Sequence, residues 1–242
     1  FAKEGAKVVV VDIDKKGGRE TVTLIKKEGG RAAFVKADIS KAKHCEKMIA
    51  FAEKQFGGLH ILFNNAGIMR SGNVEKTTPK DLDKLYAVNV KSVYSCLHYG
   101  VKYMKKSGGG SIVNLASIAS VIGLSNRFAY SVTKGAVYTM TFSIAKDYIH
   151  DRIRCNAVGP ARVHTPFIDG YLEKNYPGQE KDIFEIGRRS RGQKDHPPTA
   201  QGTLKENKSN PLETIVEVTI TPHHNFKTGI ILFIMLVFFA CF

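Results

Sequence analysis

Tyr130 and Lys134, four residues apart, are the first pair in this sequence whose types and spacing could do chemistry. On a helix, positions i and i+4 share a face, so the phenol and the ammonium would stand together. A free phenol titrates near pH 10, and an adjacent ammonium favours its ionised form, making it a usable acid/base at neutral pH. The spacing alone is not distinctive. With 9 Tyr and 26 Lys among 242 residues, chance supplies roughly one such pair, ordinarily a surface helix contact. Three further polar features stand out: Ser117, just past an apolar segment and thirteen residues before Tyr130, Asn64-Asn65-Ala66-Gly67 at the end of another, and Asn89 inside a long helical stretch. Taken singly, Ser117 reads as a turn serine and Asn89 as a surface polar residue.

Such residues work only on elements that hold them, and here the elements alternate. KVVVVD (7–12) is a continuous apolar run, as a parallel strand covered on both faces requires. A helix follows over 15–28, with Val22 and Ile25 on one face, Asp14 placed to cap it and Gly29-Gly30 to stop it. RAAFVKAD (31–38) reads as a strand, and Ser40 as the cap of a helix running to Phe56. LHILFNN (59–65) is the next strand, and Thr78 and Pro79 open a long helix that ends near Lys106. SIVNLA (111–116) is a strand, 127–149 a helix, and RIRCNAV (152–158) a strand. This alternation implies right-handed crossovers and an α/β fold, a doubly wound parallel sheet. Ligands of such sheets bind beyond the C-terminal strand ends, which here carry Asp12, Asp38, Asn64 to Gly67, Ser117 and Pro160.

The 43% apolar content supports a real core and excludes a wholly disordered chain. The net charge of +14 raises a nucleic-acid or membrane-surface partner. However, the lysines are scattered along helices near acids, as in Lys41, Lys43, Glu46 and Lys47, and no nucleic-acid motif appears. The charge therefore reads as a solvated face, and no nucleic-acid partner is expected. Cys45, Cys96, Cys155 and Cys241 form no C-x-x-C pair. No metal site or disulfide scaffold is expected, and a reducing, cytoplasmic setting fits.

Both ends depart from the pattern. Phe1 to Gly5 reads as the last turn of a helix, which suggests a fragment lacking upstream residues. Residues 188–211 are polar and linker-like, 214–220 alternate like a short strand, and 230–242 (IILFIMLVFFACF) are apolar throughout. Thirteen residues fall short of the roughly 20 needed to span a bilayer, so a membrane anchor at 230–242 is disfavoured. The expectation is a domain over 1–186 and a tail, 187–242, outside the fold.

Taken together, NNAG (64–67), Asn89 in YAVNV, Ser117 in NLAS, YSVTK (130–134) and NAVGPARVHTP (156–166) resemble the short-chain dehydrogenase/reductase family over residues 1–186. The resemblance implies a Rossmann-like dehydrogenase that interconverts a secondary alcohol and a ketone by hydride transfer with a nicotinamide cofactor. Ser117 would hydrogen-bond the reacting oxygen and Tyr130 would exchange its proton. Lys134 would lower the tyrosine pKa and hold the nicotinamide ribose. Asn89 would interrupt its helix and hold a water. Asp12, ending its strand, would accept from the adenosine ribose and favour NAD over NADP. Asp38 and Ile39 would flank the adenine, Asn65, Ala66 and Gly67 would line the adenosine side, and Val163 and Thr165 would meet the carboxamide.

The sequence also departs from the family. Its glycine-rich phosphate turn is absent and would belong with a strand before Phe1, in mid-sheet; the closing strand is not supplied after 186 either. Pro160-Ala161 stands where Pro-Gly is usual. An inactive remnant is thus the alternative to an enzyme. In 164–178, Phe167, Tyr171 and Tyr176 could line an apolar pocket, while Arg162, His164 and Lys174 could meet a carboxylate or sugar hydroxyls. By the same resemblance the complete protein would be a homotetramer packed through helices 79–106 and 127–149, although the stripe Tyr94, Leu97, Val101 reads equally as core.

Overall fold

Four consecutive valines, Val8 to Val11, have no solvent exposure, and their alternation explains the layering. Val9 and Val11 join one apolar cluster, whereas Val8 and Val10 join another on the opposite face. The computed structural model describes residues 1–160, 169–170, 172–173, 177–182 and 231–235. The chain divides into two units, Phe1–Pro160 with Thr221–Phe242, and Ala161–Ile220. In the second unit, short helical pieces and the buried Leu172 are described.

The first unit runs β1 (Lys7–Asp12), α1 (Lys15–Lys27), β2 (Arg31–Lys36), α2 (Ala42–Phe56), β3 (Ile61–Asn64) and α3 (Pro79–Leu85). A π-helical turn, Tyr86–Lys91, leads into α4 (Ser92–Lys106), followed by β4 (Gly110–Leu115), α5 (Phe128–Asp147), β5 (Ile153–Val158) and β6 (Ile231–Met235). The sheet order is β2-β1-β6-β3-β4-β5, with every neighbouring pair parallel.

Local chemistry sets the element ends. Asp14 caps α1 by accepting from the backbone N–H groups of Lys16 and Gly17. Thr78 and Asp81 form a reciprocal capping box behind Pro79. Gly57 ends α2 with φ +89°, a left-handed conformation that glycine adopts without penalty. Ser40 is not the cap of α2. Its hydroxyl donates to Asp38 Oδ1 at 2.6 Å and its N–H to the same oxygen, which holds Ser40 in a turn before the helix, and α2 begins later with Lys41 at the cap position.

The largest difference from the sequence reading lies at the C-terminal apolar run. Ile231–Met235 is not outside the fold. It occupies the place between β1 and β3, with Phe233 paired to Val9 on one side and to Leu62 on the other. The slot there would otherwise leave two rows of buried backbone groups without partners, and an uninterrupted apolar segment suits a strand covered on both faces. The remaining residues of 187–242, including the alternating 214–220, lie outside the described residues.

On α4, Leu97 and Val101 belong to this chain's own core and only Tyr94, 57% exposed, faces outward. The stripe is mostly core. Among the described residues, no helix is long and apolar enough to cross a membrane, and no cluster of metal-ligating side chains occurs.

Candidate active site

The C-terminal end of β4 and the first turns of α5 converge. Ser117, two residues past β4, caps a short 3-10 turn by accepting from the Ala119 N–H at 3.2 Å. Its side chain lies beside Tyr130 on α5, close enough to favour the ionised phenol. Lys134 lies one turn further along the same face, its Nζ 5.9 Å from the Tyr130 ring centroid. The ammonium is 3% exposed and donates to Leu115 O at 2.5 Å, so α5 is tied directly to the end of β4. Ser117, Tyr130 and Lys134 thus lie together at the end of β4.

Burial governs the electrostatics. It raises the Tyr130 phenol above its ordinary value, opposed by the adjacent Ser117 side chain and by the positive charge of Arg127. Arg127 went unnoticed in the sequence, although it sits one helical turn before Tyr130. The Lys134 ammonium is pushed down from 10.5 to about 8 by desolvation. Between those values the unfolded chain holds a proton that the folded chain has released. Stability therefore rises with pH from about 8 to about 10.5, by of order 3 kcal/mol. Compared with Lys134→Met, the full chain should gain unfolding free energy across that window in urea titrations at stepped pH. A constant difference would show that the ammonium is not desolvated.

Asn89 stands inside the π-helical turn, where one extra residue per turn re-aims the backbone. The expected local interruption of the long helix is therefore present. Asn89 Oδ1 accepts from the Ile68 N–H at 2.7 Å, while Nδ2 donates to Ile68 O at 2.8 Å and to Thr133 Oγ1 at 3.0 Å. Thr133 in turn donates to Tyr130 O at 2.9 Å. Sequence reasoning passed over Thr133, although it lies within YSVTK; its fully buried hydroxyl links the π turn to α5. Asn64 points elsewhere, donating to Asn114 Oδ1 at 2.8 Å, and Asn114 donates to Thr141 Oγ1 at 3.0 Å. These amides brace β3, β4 and α5 beneath the site.

Around the sheet end, Asp12 is 1% exposed and accepts from the Asp14 N–H at 2.8 Å. Asp38 accepts from Ser40 and Ile39 packs in the core. Ala66 and Gly67 are buried and Asn65 is half-buried. Val163 and Thr165 lie outside the described residues, as do Arg162, His164, Phe167, Tyr171, Lys174 and Tyr176.

A family model described as "Enoyl-(Acyl carrier protein) reductase" matches residues 1–184. The chain belongs to the short-chain dehydrogenase/reductase family. It is 49% identical over 160 residues to an uncharacterized oxidoreductase of Thermotoga maritima, covering 66% of this chain and 63% of that relative. It is 37% identical over 197 residues to a cyclohexanol dehydrogenase of an Acinetobacter species, covering 77% of this chain and 78% of the relative. The chain thus spans less than two thirds of the length of the first of these. Among solved structures, an L-sorbose reductase from Gluconobacter frateurii, complexed with NADPH and L-sorbose, superposes with a TM-score of 0.71. That match has 28% identity and covers 76% of this chain and 71% of the other.

Two observations bear on how this short-chain dehydrogenase/reductase would suit a nicotinamide dinucleotide. The Lys134 ammonium has three donors, and Leu115 O is its acceptor among the described residues. Beside it, Gly67 leaves open the space that a Cβ would fill, 3.4 Å from Lys134 Nζ and 3.3 Å from Asn89 Oδ1. A buried ammonium next to a side-chain-free backbone suits a hydroxyl-bearing ribose. The residues at the catalytic end fit the group.

Proposed function

We propose that the chain is a nicotinamide-dependent oxidoreductase that interconverts a secondary alcohol and a ketone. The observation that carries the reading is the pair of Tyr130 and the buried Lys134 ammonium on one face of α5, with Ser117 beside the phenol. Kinship with alcohol-oxidising relatives supports the reaction class. When bound, the cofactor's nicotinamide supplies the hydride acceptor or donor.

The chain's own residues do the rest. Tyr130 Oη takes the proton of the substrate hydroxyl during oxidation and returns it during reduction. Ser117 Oγ donates to the same substrate oxygen and holds it against the phenol. Lys134 favours the ionised tyrosine and offers its remaining N–H bonds to ribose hydroxyls beside Gly67. Asn89, held on both edges by Ile68 and by Thr133, fixes the π turn against α5. Asp38, Ile39, Asn65 and Ala66 would border the adenosine end.

Asp12 ends β1, where its carboxylate would accept from ribose hydroxyls and repel a 2′-phosphate, so NAD is the cofactor of choice. Asp12→Ala should shift the ratio of kcat/KM for NADP over NAD upward by about 10-fold or more. An unchanged ratio would take Asp12 out of cofactor selection.

Calorimetric titration of the full chain with NADH tests the reading: saturable binding supports it, and no heat counts against it.

A further inference from the structure

We infer that the substrate is an uncharged, apolar secondary alcohol or ketone whose carbon flanks lie against Val121, Ile122 and Leu124. This rests on the oxidoreductase reading above and names its substrate class. The segment between Ser117 and Tyr130 is anchored to the site at both ends. At one end, the Ile118 N–H, next to Ser117, donates to Pro160 O at 3.0 Å. At the other, the Gly72 N–H donates to Asn126 O and the Phe128 N–H to Gly72 O, within one helical turn of Tyr130. A segment tethered at both reacting residues borders the mouth of the site.

This border is aliphatic. Val121, Ile122 and Leu124 are 54%, 49% and 40% exposed, and residues 117–126 hold no acid or base in a chain that is 24% charged. The facing border has the same character. Residues 65–69 run from Gly67, beside Lys134, towards Gly72, which bridges to Arg127, and they too carry no charge.

Among the described residues, the cations that adjoin these segments are Arg70 and Arg127, and both are held in place. Arg70 Nε pairs with Asp81 Oδ2 at 3.0 Å, and Arg127 Nη1 donates to Ser71 Oγ at 2.7 Å and to Asn126 O at 2.9 Å. A carboxylate or phosphate lying against Val121, Ile122 and Leu124 would lose hydration beside side chains that offer it no hydrogen bond. A hydrocarbon flank would instead remove three exposed aliphatic side chains from water.

The test uses the full 242-residue chain and a matched probe pair, cyclohexanol and 3-hydroxycyclohexanecarboxylate, with their ketones. The neutral alcohol should be preferred in kcat/KM by about 100-fold. Ile122→Lys should narrow that preference at least about 10-fold by improving use of the carboxylate, whereas Ile149→Lys, an exposed change elsewhere, should leave it unaltered. Turnover of the carboxylate within about 3-fold of the neutral probe would overturn the inference.

Saturation-transfer NMR with the two ketones reads the same preference without turnover. Binding of cyclohexanone alone supports the inference, and equal binding or binding of neither contradicts it. Neutral-selective binding without turnover of either alcohol would count against the oxidoreductase reading and leave the neutral site standing.

Discussion

Tyr130→Phe should lower kcat by about 10³-fold with little change in KM, the range expected when a general acid/base is removed. The substitution deletes one oxygen and keeps a ring that packs in the same place. The fold should therefore melt as before, and the loss belongs to the proton. Ser117 and Arg127 both favour ionisation of the phenol, and the Lys134 ammonium stands 5.9 Å from the ring centroid. Burial sets the phenol above its ordinary range, so the rate of alcohol oxidation should climb with pH through the neutral region as the ionised form accumulates. Lys134→Met should push that climb to higher pH. Steady-state kinetics of the three proteins from about pH 6 to 10 follow that rise on the acid side of the tyrosine titration. A Tyr130→Phe chain retaining more than about a tenth of the parent kcat would remove the phenol from the mechanism.

Deleting residues 230–242 should abolish cooperative folding. β6 lies in the middle of the sheet and pairs with β1 and β3 at once, so its loss strands buried backbone groups on both neighbours. Each unsatisfied group costs about 1–3 kcal/mol, and several together exceed the 5–15 kcal/mol by which a domain is typically stable, roughly speaking. A single substitution makes the same point without shortening the chain. Phe233→Pro removes the donor of a residue paired on both sides and should lower Tm by roughly 10 °C or drive the protein into aggregates. Calorimetry and soluble yield report both outcomes. A deletion variant that melts cooperatively within a few degrees of the full chain would show that β6 does not complete the sheet.

Much of the architecture was legible because the signals are local. Four valines in a row, the Thr78-Pro79 start and the glycine stops act within a few residues of where they stand, and the strands appear within one or two residues of expectation. The place of the C-terminal run was not legible for the opposite reason. Its composition announces a buried strand, but its partners Val9 and Leu62 lie some 170 to 220 residues away in sequence. Only the open slot between β1 and β3 gives it an address. Ser40 misled because the Asp38 carboxylate holds it in a turn before the helix.

The site divides along the same line. Ser117, Tyr130, Lys134 and Asn89 were legible only together, through the motifs NLAS, YSVTK and YAVNV; singly each reads as an ordinary turn or helix-surface residue. Their partners are another matter. Leu115 O, Ile68 and Thr133 contribute through backbone groups or a hydroxyl of no distinctive spacing, so nothing in the sequence marks them. Asn64, the first residue of NNAG, turns inward to Asn114 and supports the sheet.

The most direct measurement follows the hydrogen itself. The full chain is incubated with cyclohexanol deuterated at the carbinol carbon and with NAD, and the nicotinamide product is analysed by mass spectrometry. The account predicts one deuterium on the reduced nicotinamide for each ketone formed, and none above background with Tyr130→Phe. Ketone formed without deuterium transfer, or equal transfer by the Tyr130→Phe chain, would contradict it.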